Sequence, residues 1–204
     1  MPSLLAITAS PRGDQSVSTN LVHTFVESWK QNHAGGTVTA RDLASTDLPF
    51  ISPAWFNGAY TPAEQHSPEM KQALKISDEL IAELKAADHI VIGTPMYNFS
   101  TPAIFKAWID HVVRINQTFS PNYEGLLKNK KTTVIIASAG VYTAGSPTQS
   151  YDAETGYIKQ ILGFIGLTDT TILHAGGSSA VSTGQTTLPD LLKQYVPEVQ
   201  AAAK

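Results

Sequence analysis

The 204-residue sequence predicts one α/β domain with a parallel, doubly wound sheet and helices on both faces. Short apolar runs alternate with longer amphipathic runs, which is the pattern of repeated strand–helix–strand units. The run His89–Gly93 is largely apolar, as expected for a parallel strand that is buried on both faces. No linker, repeat or low-complexity tract divides residues 1–204, so we expect a single domain.

The predicted elements alternate strictly along the chain. The strands are Leu4–Thr8, Thr37–Asp42, His89–Thr94, Thr132–Ser138 and Thr170–His174. The first, fourth and fifth helices are Ser18–Asn32, Ala153–Ile165 and Leu188–Ala202. The second helix begins at Ser67 and Pro68, and the third has Thr101 as its N-cap and Pro102 in its first turn. Serine, threonine and proline favour helix starts, and Gly35 and Gly166 favour helix ends. Five strands and five helices favour the sheet order 2-1-3-4-5, the flavodoxin-like order.

The composition excludes several classes of protein. The formal charge is only −3, so no basic surface is available to displace the counterions of a nucleic acid. The absence of cysteine excludes disulfides, thiolate catalysis and cysteine-ligated metals, and the spacing of the six histidines predicts no metal site. No run approaches the ~20 apolar residues of a membrane helix, and the first residues lack the basic start of a signal peptide. We therefore expect a cytoplasmic protein that binds neither nucleic acid nor membrane.

Two segments exceed what the minimal fold needs, and one helix is unusually apolar. Leu43–His66 and Ile115–Asn129 are long and rich in aromatic residues, which predicts that they pack over a site or a partner. The alternative is that both are surface excursions stabilised by their own aromatic residues. The third helix carries an unusually heavy apolar stripe that is expected to face the core or an interface: Ile104, Phe105, Trp108, Ile109, Val112 and Val113.

The segment after the third strand predicts a wall for a flat ring. Residues 94–109 place two aromatic residues, an amide and two prolines at the carboxyl end of a central strand, where open α/β sheets bind ligands. Tyr97 and Phe99 would form the wall, and Pro95 and Pro102 would stiffen the turn. The alternative is a loop that only packs against the rest of the domain.

The loop after the first strand predicts a phosphate site. It places the hydroxyls of Ser10, Ser16 and Ser18 at the start of a helix, whose first N–H groups are free and whose dipole is positive at that end. Neither the dinucleotide Gly-x-Gly-x-x-Gly pattern nor a P-loop is present, which favours a single phosphate monoester over a pyrophosphate. The alternative is a polar loop that precedes an ordinary helix cap at Ser18.

A third loop leaves the fourth strand at the same edge of the sheet. Gly140 in this loop would let the backbone approach a ring closely, and Ser138 supplies a hydroxyl. Loops after the first and third strands face each other at the switch point of such a sheet, so the phosphate and the ring would belong to one ligand. A flat ring with a monophosphate tail is FMN.

With these motifs the sequence resembles the FMN-dependent NADH-azoreductase family, whose members are also described as NADH:quinone oxidoreductases. The matching residues span nearly the whole chain: 10–13 with 16–18, 95–100 with 102, 106–110, 118–119, 125–127, 130–131 and 162–166. The motif at 95–110 is specific, whereas the serine loop is shared by many flavodoxin-like reductases. The resemblance implies an FMN-binding homodimer with two sites at the subunit interface. It also implies two-electron transfer from NADH or NADPH to quinones and aromatic azo compounds by a ping-pong mechanism.

The resemblance further implies which residues form the site. The cofactor-binding residues are Ser10, Ser16, Val17, Ser18, Pro95, Met96, Tyr97, Asn98, Phe99, Ser138, Ala139, Gly140 and Val141. The candidate walls of the substrate pocket are Phe99, Phe119, Tyr123, Tyr142 and Phe164, the last from either subunit. No catalytic side chain is implied, because the flavin N5 carries the hydride.

Val141 departs from the family pattern, which usually has a second glycine there. A β-branched residue is costly at positive φ, so we expect this loop to take another path.

Two other functions are weighed against this one. A flavodoxin-type electron carrier would bind the same cofactor without a small-molecule reductase activity of its own. Such carriers usually dock through a strongly acidic face, which a charge of −3 does not supply. A hydrolase would need a nucleophile elbow, but the nearest segment, Gly176–Ala180, lacks the final glycine and is not followed by a plausible Asp and His pair. The carrier is the stronger alternative.

Overall fold

The computed structural model describes all 204 residues, and its five strands form one parallel sheet. The strands are β1 (Ser3–Thr8), β2 (Thr37–Asp42), β3 (His89–Pro95), β4 (Lys131–Ala137) and β5 (Asp169–Ala175). Their order is β2-β1-β3-β4-β5, and every neighbouring pair is parallel. The predicted flavodoxin-like order is therefore confirmed, and the bounds of each strand lie within one residue of the predicted ones.

Eight α-helices accompany the sheet. They are α1 (Val17–Asn32), α2 (Pro53–Tyr60), α3 (Pro68–Ala86), α4 (Ala103–Val112), α5 (Glu154–Phe164), α6 (Ser179–Ser182), α7 (Leu188–Lys193) and α8 (Val196–Ala202). None of them combines the length and the apolar character that a bilayer span requires.

Three expectations about the helices are wrong. The single helix expected over residues 188–202 is two helices, because Pro197 lies in the first turn of α8 and has no N–H to donate to the preceding turn. Thr101 does not cap α4; Pro102 occupies the N-cap position, and no side chain caps this helix. The helix α2 was not expected, although Ser52 caps it in the ordinary way and Pro53 follows the cap.

The sheet separates two hydrophobic clusters. Leu5 and Ile7 of β1 pack with α3, α4 and α5 on one face, and Leu4 and Ala6 pack with α1, α7 and α8 on the other. Successive side chains of a strand point to opposite faces, so one central strand supplies both clusters. The heavy stripe of α4 belongs to the first cluster, with Phe105, Trp108, Ile109 and Val112 buried within this chain. Contacts within this chain therefore explain the burial of most of this stripe, without a partner subunit.

The segment 43–66 packs on its own chain and leaves aromatic side chains exposed. Trp55 of α2 is buried and meets the ring of His111 edge to face, with a centroid distance of 5.9 Å. His111 is buried in α4, where its Nε2 donates to the Pro49 carbonyl at 2.8 Å. The outer surface of this segment carries three exposed aromatic residues, Phe50, Phe56 and Tyr60.

The segment 115–129 meets the chain just after α5 through a close backbone contact. A Cβ added to Gly125 would lie 2.2 Å from the Gly166 nitrogen, and Gly166 itself has φ +104°. Leu127 N–H also donates to the Ile165 carbonyl at 2.9 Å. Glycine is therefore required on both sides of this contact, which joins the loop firmly to the end of α5.

Candidate functional site

The loops after β1, β3, β4 and β5 enclose a small cavity at the carboxyl edge of the sheet. Its volume is about 170 Å³, and its lining consists of Ser10, Arg12, Ser16, Val17, Pro95, Met96, Tyr97, Ala137, Ala139 and Ser178. Most of these residues belong to the predicted cofactor-binding set, which the fold brings together from separate loops. Arg12, Ala137 and Ser178 were not predicted. The carboxyl ends of all five strands share one edge of the sheet. The position of Ser178 shortly after the fifth strand could therefore have predicted that it lies at the site.

Ser16 caps α1 and leaves two N–H groups free at its start. The Ser16 Oγ accepts a hydrogen bond from Thr19 N–H at 3.2 Å, so the cap lies at Ser16 rather than at Ser18. The N–H groups of Val17 and Ser18 have no acceptor within the chain. A helix start with free N–H groups and the positive end of the dipole is suited to an anion.

Two further groups add donors to this end of the cavity. Ser10 Oγ accepts from Arg12 N–H at 3.4 Å, and its own hydroxyl proton is not used within the chain. Arg12 is the single charged residue of the lining, and its side chain forms no ion pair. The Ser18 hydroxyl, in contrast, does not line the cavity; it is fully buried and lies 3.2 Å from Ser16 Oγ.

The segment after β3 forms a tight turn in a strained conformation. Tyr97 and Ser100 exchange both backbone hydrogen bonds, at 2.9 and 3.0 Å, while Asn98 has φ 49° and Phe99 has φ 70°. Two consecutive left-handed residues define a type I′ turn. Asparagine tolerates this conformation, but for phenylalanine it costs on the order of 1–2 kcal/mol. Strained residues of this kind cluster at ligand sites.

Contacts from the start of α5 hold the strained turn in place. Ala153 N–H donates to the Phe99 carbonyl at 3.1 Å. The Phe99 ring stacks on Tyr151 with a centroid distance of 5.2 Å and meets Tyr142 edge to face at 6.1 Å. Phe99 is nevertheless 46% exposed, so one side of its ring remains available to a ligand.

The loop after β4 presents a row of free N–H groups. The carbonyls of residues 138–140 accept hydrogen bonds of 3.0–3.2 Å from the N–H groups of residues 177–179 in the loop after β5. The N–H groups of residues 139–141 have no acceptor within the chain. The Ser138 hydroxyl donates to the Gly140 carbonyl at 2.8 Å, so its proton is used inside the loop. This loop therefore offers backbone donors to a ligand rather than a side-chain donor.

Val141 fits this loop without backbone strain. Neither Gly140 nor Val141 has a positive φ, and the Val141 side chain is half exposed. A Cβ added to Gly176 would lie 2.8 Å from the Gly140 carbonyl oxygen, so the loop rests directly on this glycine. The cost expected for a β-branched residue at positive φ does not arise. A path that differs from the family pattern stays a prediction.

The five predicted wall residues fall into two clusters. Phe99, on the turn after β3, and Tyr142, in the loop after β4, meet edge to face. Phe119, Tyr123 and Phe164 form a second cluster, with centroid distances from 4.8 to 6.5 Å. No ring pair joins the two clusters. One chain alone therefore does not assemble them into a single wall.

A larger cavity lies along β2 and is a poorer candidate. Its volume is about 640 Å³, and α1 and β2 supply most of its lining, including Val22, His23, Val38 and Arg41. Arg41 is engaged by Glu79 and Glu83 of α3, so it is not a free cation. The groove lacks the combination of free N–H groups and hydroxyls found at the smaller cavity, which therefore carries the candidate site. No group of side chains in the structure could hold a metal ion.

Comparisons with known proteins agree with this geometry. A family model described as a flavodoxin-like fold matches residues 2–199. An FMN-dependent NADH:quinone oxidoreductase from Jannaschia sp. is 47% identical over 204 residues, which cover 100% of both chains. Another from Burkholderia lata is 45% identical over 203 residues, or 100% of this chain and 97% of that one.

Solved structures give the same assignment. The structure of an FMN-dependent NADH-azoreductase from Bacillus anthracis in complex with FMN is 26% identical, with a TM-score of 0.84 and coverage of 98% of this chain and 97% of that one. A second azoreductase from the Sterne strain of the same species is 25% identical, with a TM-score of 0.86 and coverage of 100% and 99%. The chain therefore belongs to the flavodoxin-like family that includes the FMN-dependent NADH:quinone oxidoreductases and azoreductases.

Proposed function

We propose that this protein is an FMN-dependent oxidoreductase that transfers two electrons from NADH or NADPH to quinones and aromatic azo compounds. The donor set at the start of α1 carries the proposal: two free N–H groups, the hydroxyls of Ser10 and Ser16, and the unpaired Arg12. FMN has one phosphate monoester, which is the group that this donor set suits. The relatives from Jannaschia and Burkholderia are FMN-dependent NADH:quinone oxidoreductases, which supports FMN as the cofactor, NADH as the donor and a quinone as an acceptor.

The residues around the cavity fit the other parts of FMN as well. The free N–H groups of residues 139–141 would serve the polar edge of the ring, and Met96 and Tyr97 would lie against its flat surface. The enclosed volume of about 170 Å³ is below the roughly 300–1,000 Å³ of typical ligand pockets. A single chain would therefore enclose only part of the cofactor. The chemistry that FMN supplies when bound is two-electron transfer between a reduced nicotinamide and an acceptor.

The protein's own contribution to this reaction is binding and positioning. The α1 donors would fix the phosphate, and the turn at 97–100, held by Ala153, would fix the ring-facing backbone. The aromatic side chains would exclude water and stack on a flat substrate. Reduced nicotinamide and acceptor would use the same slot in turn, which is the basis of the proposed ping-pong order. No side chain of the lining is assigned as a catalytic acid or base.

We also propose that the protein is a homodimer with its sites at the interface. Exposed aromatic residues at positions 50, 56, 60 and 123 leave an apolar surface that a second copy would cover. In such a dimer, the cluster of Phe119, Tyr123 and Phe164 would complete the pocket of the other subunit. This arrangement would enlarge the small cavity and unite the two aromatic clusters. A cytoplasmic location is part of the same proposal.

The absorption spectrum of the purified protein tests the proposal. We expect flavin bands in the near ultraviolet and blue, bleaching by anaerobic NADH or NADPH, and recovery on addition of a soluble quinone. Consumption of reduced nicotinamide over many turnovers for each flavin would distinguish the enzyme from a carrier. If the protein binds no FMN after reconstitution, the proposal is wrong. If it binds FMN but does not consume NADH or NADPH with a quinone or an azo dye, the carrier is the better assignment.

A further inference from the structure

A buried carboxyl group lies directly behind the candidate site. Glu154, the first residue of α5, is completely buried. Its Oε1 lies within hydrogen-bond distance of Thr94 Oγ1, at 3.2 Å, and its Oε2 has no partner. An ionised carboxylate in such a place is costly, since no cation pairs with it. Burial therefore raises the pKa of Glu154 to about 8, although the hydrogen bond from Thr94 lowers it.

Few charges surround this carboxyl group. Asp152, which precedes α5 and caps it, is the one titratable group whose charge acts on Glu154, and it raises the pKa further. Tyr157, on the next turn of α5, interacts with Lys106 and Asp110 of α4. No lysine, arginine or histidine forms an ion pair with Glu154. The carboxyl group thus holds a proton at neutral pH.

Glu154 is connected to the backbone on which the flavin ring would rest. Thr94 Oγ1 has one proton and two acceptors within reach, Glu154 Oε1 at 3.2 Å and the Pro95 carbonyl at 3.4 Å. The neighbouring Ala153 N–H bonds to the Phe99 carbonyl at 3.1 Å. The start of α5 and its N-cap residue therefore contact both ends of the segment 94–99.

We propose that Glu154 is a positioning residue for the cofactor, acting through Thr94 on the segment 95–99. When Glu154 carries its proton, it donates to Thr94 Oγ1, and the Thr94 hydroxyl donates to the Pro95 carbonyl. When the proton is lost, the Thr94 hydroxyl turns to the carboxylate, and the Pro95 carbonyl loses its donor. The buried negative charge also opposes electron uptake at the adjacent site. This inference rests on the proposed FMN binding and adds a residue that governs it.

The affinity for FMN and its midpoint potential, measured from pH 7 to 9.5, test this role. The phosphate of FMN is fully charged over this range, so it adds no transition of its own. For the wild type, we expect the dissociation constant to rise roughly tenfold through a transition near pH 8, which corresponds to the loss of about one hydrogen bond. The midpoint potential of the bound FMN should also fall over the same pH interval, more steeply than the proton uptake of the flavin itself requires.

Three variants separate positioning from a merely structural role. Glu154→Gln stays neutral and retains a donor, so its FMN affinity should remain tight and lack the transition. Thr94→Val removes the link and should lack the transition while binding more weakly throughout. Glu69→Gln changes an exposed carboxylate in the first turn of α3 and should behave as the wild type. Infrared titration of the apoprotein, with Glu154→Gln as the reference, would show whether the carboxyl group is protonated at neutral pH.

The outcomes distinguish this proposal from the one on which it rests. Identical pH profiles for the wild type and Glu154→Gln would overturn the positioning role, and so would an ionised Glu154 at pH 7 in the apoprotein. Wild-type protein that binds no FMN at any pH would instead overturn the proposed function, and the positioning role with it.

Discussion

Replacement of Ser16 by alanine separates two roles that the structure gives to one hydroxyl. Ser16 Oγ accepts from Thr19 N–H at 3.2 Å as the cap of α1, and it also lines the proposed phosphate site. Ser67 provides a matched control, because its Oγ caps α3 by accepting from Met70 N–H at 3.3 Å and lies away from the cavity. The two substitutions remove the same kind of cap.

The expected magnitudes differ for stability and for binding. Loss of a serine cap costs about 1 kcal/mol, so Ser16→Ala and Ser67→Ala should lower the free energy of unfolding of the apoprotein similarly. A hydrogen bond to a charged group contributes about 1.5–3 kcal/mol, so Ser16→Ala should also weaken FMN binding by roughly 10- to 150-fold. Ser67→Ala should leave FMN binding unchanged.

Titration of flavin fluorescence measures these dissociation constants, and riboflavin supplies the second control. Riboflavin has no phosphate, so Ser16→Ala should change its affinity by less than about twofold if the phosphate is the partner. Urea unfolding of the apoproteins measures the cap contribution. Equal effects of Ser16→Ala on FMN and riboflavin, or equal effects of Ser16→Ala and Ser67→Ala on FMN, would refute the assignment of Ser16 to the phosphate.

Three further predictions follow from the fold. Gly166→Ala places a Cβ at φ +104° and 2.9 Å from a backbone nitrogen, so the free energy of unfolding in urea should fall by more than about 2 kcal/mol. Gly156→Ala lies in open space on α5 and should raise the free energy of unfolding by about 0.5–1 kcal/mol. Burial lowers the pKa of His89 from 6.5 to about 4, so the folded state binds fewer protons than the unfolded state. The free energy of unfolding should therefore fall by up to about 3 kcal/mol from pH 6.5 to pH 4, and an equally steep fall in His89→Gln would contradict this cause. If the exposed aromatic residues at positions 50, 56, 60 and 123 form the dimer interface, sedimentation should show a dimer for the wild type and a monomer for the double variant Phe56→Ser with Tyr60→Ser. A double variant that remains a dimer would show that the interface lies elsewhere.

The strands were predictable because their physical signal is local. A parallel strand that is buried on both faces is rich in apolar residues, as β3 is at residues 90–92, and every residue of β3 is buried. Two of the three errors in the helices also have local causes. Pro197 interrupts a pattern that is otherwise helical, and α2 lies in a segment whose length and aromatic content predicted an irregular connection. The burial of Trp55 against α4 depends on a distant contact that no local pattern contains.

The site was predictable only to the level of its loops. Strand ends in a parallel sheet share one edge, so the loops after β1, β3 and β4 had to meet there. Which atoms remain free was not predictable. Ser16 rather than Ser18 faces the cavity because α1 begins one residue earlier than expected, and the Ser138 hydroxyl is consumed by its own loop. Such outcomes depend on hydrogen-bond partners that the order of residue types does not determine.

The contact between Gly125 and Gly166 has a consequence for how this pocket can change over evolution. Backbone meets backbone there, so the segments that carry Phe119, Tyr123 and Phe164 are joined by a backbone contact as well as by the rings themselves. The aromatic residue at each of these three positions can therefore change while the backbone keeps its shape. A single added methyl group at either glycine would instead displace all three rings together. If these rings form the proposed substrate wall, substitutions at the rings would change the acceptor preference, whereas neither glycine has room for a side chain.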